Sequence, residues 1–271
     1  MKSTEQDSLH QNLHQKTTKE LLQSINEEDR KVAEVINTCL DDIETVVEAI
    51  FPRMQAGGRL FYIGAGTSGR LGIVDASECP PTFGVDHNTV IGLIAGGDSA
   101  IRKAVEFAED DSHQAWKDLQ TYTISELDSV IGIAASGTTP YVIGGIEAAR
   151  TFGCFTASIS CNRDSELSRA AEQAIEAVVG PEFVTGSTRM KAGTAQKLIL
   201  NMISTSLMIK LGRVFGNKMV DMQLSNNKLK HRAVDMLRSL SGIDQHQAQR
   251  LINEHGNVRE ALNHLKHESR S

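Results

Sequence analysis

The spacing of apolar positions changes twice along this chain, and the changes divide it. Between residues 18 and 54, Leu21, Leu22, Ile25, Val32, Val35, Ile36, Leu40, Ile43, Val46, Val47 and Ile50 recur at helical spacing. The polar run Asn26-Glu27-Glu28-Asp29 interrupts them, which predicts two helices broken at that run, after a loosely ordered stretch over residues 1–19. Gly57-Gly58 closes this pattern, and short β-branched runs follow at 59–63, 89–94, 129–134, 155–160 and 176–179. Helices are predicted between them from residue 68, over 101–119 and over 140–152. A long helix over 194–215 is apolar around much of its girth, which suits burial on several sides and part of an oligomer interface. Three short helices then follow near 237–243, 247–255 and 257–265, punctuated by Gly242 and Gly256.

Strands separated by helices predict right-handed βαβ units and a parallel sheet, whose ligands bind beyond the carboxyl ends of the strands. The expected organisation is an N-terminal helical segment (1–56), an α/β domain (57–225) and a small C-terminal helical bundle (226–271).

Two turns rich in glycine and hydroxyls fall at strand ends. They are Gly64-Ala65-Gly66-Thr67-Ser68-Gly69-Arg70 and Ala135-Ser136-Gly137-Thr138-Thr139-Pro140. At a strand-to-helix junction, free backbone N–H groups and the positive end of the helix dipole meet such hydroxyls, which is chemistry for holding a phosphate. Two copies point to a phosphorylated small molecule. A dinucleotide reading of the first turn lacks its acidic partner, since the second strand ends in Ile94-Ala95-Gly96-Gly97. No Gly-Lys-Ser/Thr closes either turn, so a Walker A loop is excluded. For the second turn the alternative is ordinary helix capping, which one hydroxyl would satisfy.

Carboxylates supply the other half of the chemistry. Glu78 precedes Pro80-Pro81, expected to end the first helix, and burial would suit it to general-acid work. Glu106 and Glu109-Asp110-Asp111 fall on the next predicted helix, and spacing does not choose among them. In Gly186-Ser187-Thr188-Arg189-Met190-Lys191, Ser187 and Lys191 are candidate substrate or phosphate ligands and Arg189 a further cation; a loop with a capping hydroxyl is the open alternative.

Composition narrows the classes. A formal charge of −6 over 271 residues, with no Lys/Arg cluster, argues against nucleic acid as a partner. No apolar run approaches the ~20 residues of a membrane span, and the polar first thirty residues do not resemble a signal peptide. Cys39, Cys79, Cys154 and Cys161 show no metal or redox spacing, so reduced thiols and a cytoplasmic location are expected. His10 and His14 stand i, i+4 without an acid adjacent in sequence, and no metal site is expected.

Long segments carry a family resemblance. Residues 64–72, 75–84 (D-A-S-E-C-P-P-T-F-G), 92–97 and 184–197 (V-T-G-S-T-R-M-K-A-G-T-A-Q-K) closely resemble the bacterial N-acetylmuramic acid 6-phosphate etherases, with likeness from about Ile25 to Leu265. The resemblance implies a sugar isomerase (SIS) fold, a flavodoxin-like three-layer arrangement, and kinship with the glucokinase regulatory protein. It implies cleavage of the D-lactyl ether of N-acetylmuramic acid 6-phosphate to N-acetylglucosamine 6-phosphate and D-lactate, by elimination and then addition of water, without metal or organic cofactor. Glu78 then matches the proton donor to the departing lactate and Glu109 the base. Ser136, Thr138 and Thr139 match the phosphate loop, and Thr67 and Ser68 the sugar-proximal turn. Residues 9–16 depart from the acidic, Arg-Asn-containing segment common in the family, and many relatives carry Arg where Thr138 stands. A homodimer acting in the cytoplasm on a phosphosugar is the implied assembly; a phosphosugar-sensing regulator and an aldose–ketose isomerase are the alternatives.

Overall fold

The computed structural model describes residues 2–268. Met1 and residues 269–271, the extremities of the first and last expected segments, lie outside them. The chain forms two compact units, residues 1–76 with 88–205 and residues 77–87 with 206–271.

The first unit is built on five parallel strands, β1 (Leu60–Gly64), β2 (Val90–Ile94), β3 (Ser129–Ile133), β4 (Phe155–Ser160) and β5 (Gln173–Glu176), in the order β2-β1-β3-β4-β5. This is the flavodoxin-like order, with its switch point between β1 and β3. Every residue of β1, β3 and β4 is buried, as expected of a parallel sheet covered on both faces. Alternation along the strands sorts the two layers. Phe61, Ile63 and Val130 join one core with Tyr141, Val142, Ile146 and Ala149 of α6 (Pro140–Phe152) and Leu119 of α5 (Gln114–Thr121). On the other face the hydroxyl of Tyr62 donates to Asp75 (3.1 Å) in α3 (Gly66–Phe83). Ser204 and Asn201 of α8 (Lys191–Lys210) also donate to Asp75, both at 3.1 Å. Burial raises the Asp75 carboxyl from its ordinary range against the opposing pull of these bonds.

Several boundaries differ from expectation. α1 (Thr18–Asn37) starts at a capping box between Thr17 and Glu20 and passes straight through residues 26–29. That run contains neither Gly nor Pro, and Glu28 is buried by partners distant in sequence. The break falls instead at Thr38–Cys39, before α2 (Leu40–Gln55). Residues 2–16 are ordered rather than loose, with 3₁₀ turns at Ser3–Glu5 and Leu13–Gln15 and a fully buried Thr4. The helix expected over 101–119 is replaced by α4 (Ser99–Arg102), a 3₁₀ turn (Ala108–Asp110) and α5. Residues 102–107 are exposed, so no buried face supports a helix there, and Phe107 adopts a positive φ of 59°. α7 (Glu166–Ala170) precedes β5, which ends at Glu176, where the apolar pattern places its start. Ala177 and Val179 are buried beyond it, so burial continues after the ladder ends. α8 begins at Lys191 and ends at Lys210, earlier at both ends than expected; Met202 and Ile209 are exposed on it.

In the second unit Val220 and Met222 pack with Ala233, Val234 and Leu237 of α9 (Asn227–Ser241), Leu251 and Ile252 of α10 (Gln245–His255), and Ala261 of α11 (Val258–Glu268). Asn226 and Asp244 cap α9 and α10, and left-handed Gly242 and Gly256 end them. Arg259 grips both carboxylate oxygens of Asp221, at 2.6 and 2.8 Å. α3 does not stop before Pro80-Pro81 but continues to Phe83. These prolines lack the N–H that a helix interior needs, a loss tolerated in a closing turn, and Gly84 N–H donates to the Pro80 carbonyl (2.9 Å). Among the described residues no helix is long and apolar enough to cross a membrane.

Candidate active site

The register pairs Gly64 of β1 with Ile133 of β3, so the two hydroxyl-rich turns leave adjacent strands at the switch point, about 4.8 Å apart. In the first turn the glycines serve close packing of helix on strand. A Cβ on Gly64 would lie 2.6 Å from the Gly69 nitrogen, and one on Gly69 would lie 2.6 Å from the Ile94 side chain. Thr67 is half-buried; Ser68 is buried and donates to Oε1 of Gln196 at 2.9 Å. Nε2 of Gln196 is buried with no acceptor among the described residues.

In the second turn Ser136, Thr138 and Thr139 are half-buried. The N–H and hydroxyl of Thr138 both donate to Ser136 Oγ, at 3.3 and 3.0 Å. Thr139 is the N-cap residue of α6 yet makes no side-chain capping bond, and Pro140 follows as the first helical residue. None of the three hydroxyls is therefore spent on capping that helix. Gly137 holds φ at +69°, and a Cβ there would sit 2.3 Å from the Ser165 side chain.

Glu109 lies in the 3₁₀ turn rather than on a helix, and it is exposed. It lines a cavity of about 200 Å³ together with Ala65, Gly66, Arg70, Val105 and Glu106, so the fold brings it to the first turn. Arg70 fixes one wall by donating to the carbonyls of Ala100 and Ile101, each at 2.8 Å. A larger cavity of about 560 Å³, lined by Trp116, Glu147 and Phe152 among others, contains none of the sequence-predicted site residues. Glu78 lies in α3 one helical turn beyond Asp75, in the segment belonging to the second unit, and is exposed rather than buried.

The segment before α8 has a structural side. Ser187 is half-buried in a turn, its N–H bonded to the Val184 carbonyl (2.9 Å), and Arg189 is exposed. Lys191 is only 2% exposed, and its ammonium is committed to Glu28 at 2.6 Å, so it is not presented to a ligand. Glu28 also accepts from Lys31 (2.7 Å) and pairs with His10 (3.0 Å). Burial raises its carboxyl, but the bonds from Lys191, Lys31 and His10 outweigh this and hold it down at about 2. Glu182 caps α8 by accepting the N–H groups of Lys191 (2.8 Å) and Ala192 (2.9 Å), while burial pushes its carboxyl up.

Three residues with a bearing on the site escape the sequence reading: Glu28, Gln196 and Asn162. Asn162 is 3% exposed and donates to the carbonyls of Ala135 and Ser136, both at 3.2 Å. Its one sequence signal is its place just beyond the carboxyl end of β4.

Known proteins match this architecture. Residues 42–150 match the glucokinase regulatory protein N-terminal SIS domain, and residues 216–264 match the C-terminal lid domain of glucokinase regulatory protein. Among solved structures, a phosphoheptose isomerase from Francisella tularensis aligns with TM-score 0.56 and 16% identity, covering 72% of this chain and 100% of its own. A putative phosphosugar isomerase involved in capsule formation from Bacteroides fragilis aligns at 0.54 with 20% identity, over 73% and 94%. At these identities the likeness establishes the fold. Relatives named N-acetylmuramic acid 6-phosphate etherase are far nearer in sequence. That of Christiangramia forsetii is 62% identical over 265 residues, covering 98% of this chain and 97% of the relative. That of Porphyromonas gingivalis is 57% identical over the same shares. That of Salmonella agona is 53% identical over 236 residues, 87% of this chain and 80% of the relative. With identity this high over nearly its whole length, the chain belongs to the N-acetylmuramic acid 6-phosphate etherase family.

Proposed function

We propose that this chain cleaves the D-lactyl ether of N-acetylmuramic acid 6-phosphate, giving N-acetylglucosamine 6-phosphate and D-lactate. The carrying observation is the 62% identity over 265 residues to a relative of that name. The paired turns at the β1/β3 switch point support the phosphosugar half of the reading. Thr67 and Ser68 would bind near the sugar, and Ser136, Thr138 and Thr139 would hold the phosphate, with backbone N–H groups adding to the cradle.

The chemistry requires a base and an acid. A carboxylate removes the weakly acidic C2 proton of the open-chain aldehyde sugar, and the electron pair left behind forms the C2–C3 double bond as the C3–O bond breaks. The departing lactyl oxygen takes a proton from the acid, and water then adds across the double bond, placing hydroxyl on C3 and hydrogen on C2. Glu109, beside the first turn, suits the base, and Glu78 the acid. Both are exposed, so the desolvation that general-acid work requires would come from substrate packing over them. Ser187 remains a candidate contact, whereas Lys191 acts through Glu28 in fixing the start of α8.

The assembly would be a cytoplasmic homodimer serving peptidoglycan recycling and amino sugar catabolism, with Met202 and Ile209 among its contact residues. Functionally we divide the chain at 56/57 and 225/226, into a helical segment, a phosphosugar-binding domain and a helical bundle. The test follows N-acetylmuramic acid 6-phosphate with the protein in D2O by proton NMR. Lactate release with deuterium at C2 of the product sugar is expected. Substrate that binds but releases no lactate would put a phosphosugar-sensing regulator in its place.

A further inference from the structure

The second turn is held from behind by a part of the chain far away in sequence. Thr4 is 0% exposed, and its hydroxyl accepts from Nδ2 of Asn162 at 2.9 Å. The Thr4 N–H and the Ser3 hydroxyl both donate to Oδ1 of Asn162, at 3.3 and 3.0 Å. Nδ2 has two protons; one goes to Thr4, and the other bridges the carbonyls of Ala135 and Ser136, each at 3.2 Å. The segment is pinned again at Ser8, whose hydroxyl donates to the Phe183 carbonyl at 2.7 Å.

The consequence lies in the geometry of a trans peptide, whose C=O and N–H point in opposite directions. Anchoring the Ala135 carbonyl on Asn162 turns the Ser136 N–H the other way, away from Asn162. The Gly137 carbonyl is likewise anchored, by the Leu167 N–H at 3.0 Å, and the Thr138 N–H closes the turn on Ser136 Oγ at 3.3 Å. Cys161 N–H adds a second bond to the Ala135 carbonyl, at 3.0 Å. The Ser136 N–H, beside the hydroxyls of Ser136 and Thr138, makes a cradle for an anion. Its orientation depends on the carbonyls being held behind it.

We infer that Asn162, clamped by Ser3 and Thr4, is a positioning residue that aims the phosphate-binding turn, so residues 2–8 act as a strap that sets affinity for the phosphate of the substrate. The inference rests on the phosphosugar reading above and adds what organises that site. Asn162, 3% exposed, acts through the direction of the Ser136 peptide.

The test uses the full chain and compares Asn162→Asp, Thr4→Val and Thr4→Ser with the parent. Asn162→Asp keeps the acceptor but loses both donors, freeing the carbonyls. Thr4→Val keeps the volume and loses the hydroxyl, which Thr4→Ser restores. The expected result is a KM about tenfold higher for Asn162→Asp, the size of one well-placed hydrogen bond, with kcat changed much less. Inorganic phosphate, titrated calorimetrically, weakens in parallel. Thr4→Val shifts both in the same direction by a smaller factor, and Thr4→Ser returns them to the parent values. A lower melting temperature with unchanged KM and unchanged phosphate affinity would overturn the inference, leaving Asn162 a purely structural residue. If Asn162→Asp does not fold, Thr4→Val decides: parental KM and phosphate affinity would refute the strap. A parent chain that releases no lactate sinks the etherase reading alone, because the phosphate titration still compares the variants.

Discussion

Replacing Glu28 with Gln perturbs a buried carboxylate held by Lys191, Lys31 and His10. Glu28 is 4% exposed, and bonds from Lys191, Lys31 and His10 hold its carboxyl at about 2 against an ordinary 4.5. That difference corresponds to about 3 kcal/mol of native-state stability at neutral pH, each tenfold in proton affinity being worth about 1.4 kcal/mol. Because the folded value lies below the unfolded one, the stabilisation is complete above about pH 4.5 and is lost as pH falls toward 2. The substitution also strands the Lys191 ammonium, 2% exposed, without its counter-charge, a loss of the same order, about 3–5 kcal/mol. The assay is urea unfolding followed by the fluorescence of Trp116, the single tryptophan, at several pH values between 7 and 3. The parent should exceed Glu28→Gln by about 3 kcal/mol at pH 7, and the gap should narrow steadily below pH 4.5. Adding Lys191→Met to Glu28→Gln should recover part of the loss, since no buried charge then remains unpaired. A gap that stays constant from pH 7 to 3, or one below about 0.5 kcal/mol at pH 7, would refute the reasoning.

Other perturbations probe the site. Glu109→Gln should abolish both lactate release and deuterium exchange at C2 while phosphosugar binding persists, and retained C2 exchange in the NMR experiment would remove it as the base. Glu78→Gln should suppress lactate release with binding retained; turnover at the parental rate would exclude it as the acid. Ser136→Ala should weaken substrate by about 1–3 kcal/mol through loss of a bond to a charged group, seen in KM, and an unaltered KM would contradict the phosphate assignment. Gly137→Ala should cost at least about 2 kcal/mol in thermal stability, since φ is +69° and the new Cβ would meet the Ser165 side chain at 2.3 Å.

What the sequence determined is local and periodic. β-branched runs placed β1 to β4 close to their observed positions, because strands buried on both faces must be apolar, but set β5 three residues late, since Gln173–Glu176 is polar at both ends. Their alternation with helices dictated a parallel sheet, and handedness then put the hydroxyl-rich turns at its ligand-binding end. The resemblance over long motifs, rather than spacing, singled out Glu109 among the acids of residues 106–111.

What the tertiary structure alone decided is partnership. The run at residues 26–29 reads as a break because its polar side chains predict exposure, yet Lys191, far along the chain, buries Glu28 and the helix continues. Residues 2–8 carry no periodic apolar signal, since hydrogen bonds to Asn162 and Phe183 hold them. Residues 102–107 carry apolar side chains but stay exposed, so the expected helix is replaced by the turn that brings Glu109 to Gly66. A hydrophobic pattern records which side chains leave water. It does not record which distant polar group meets a buried carboxylate or amide, and at this site those meetings fix the geometry.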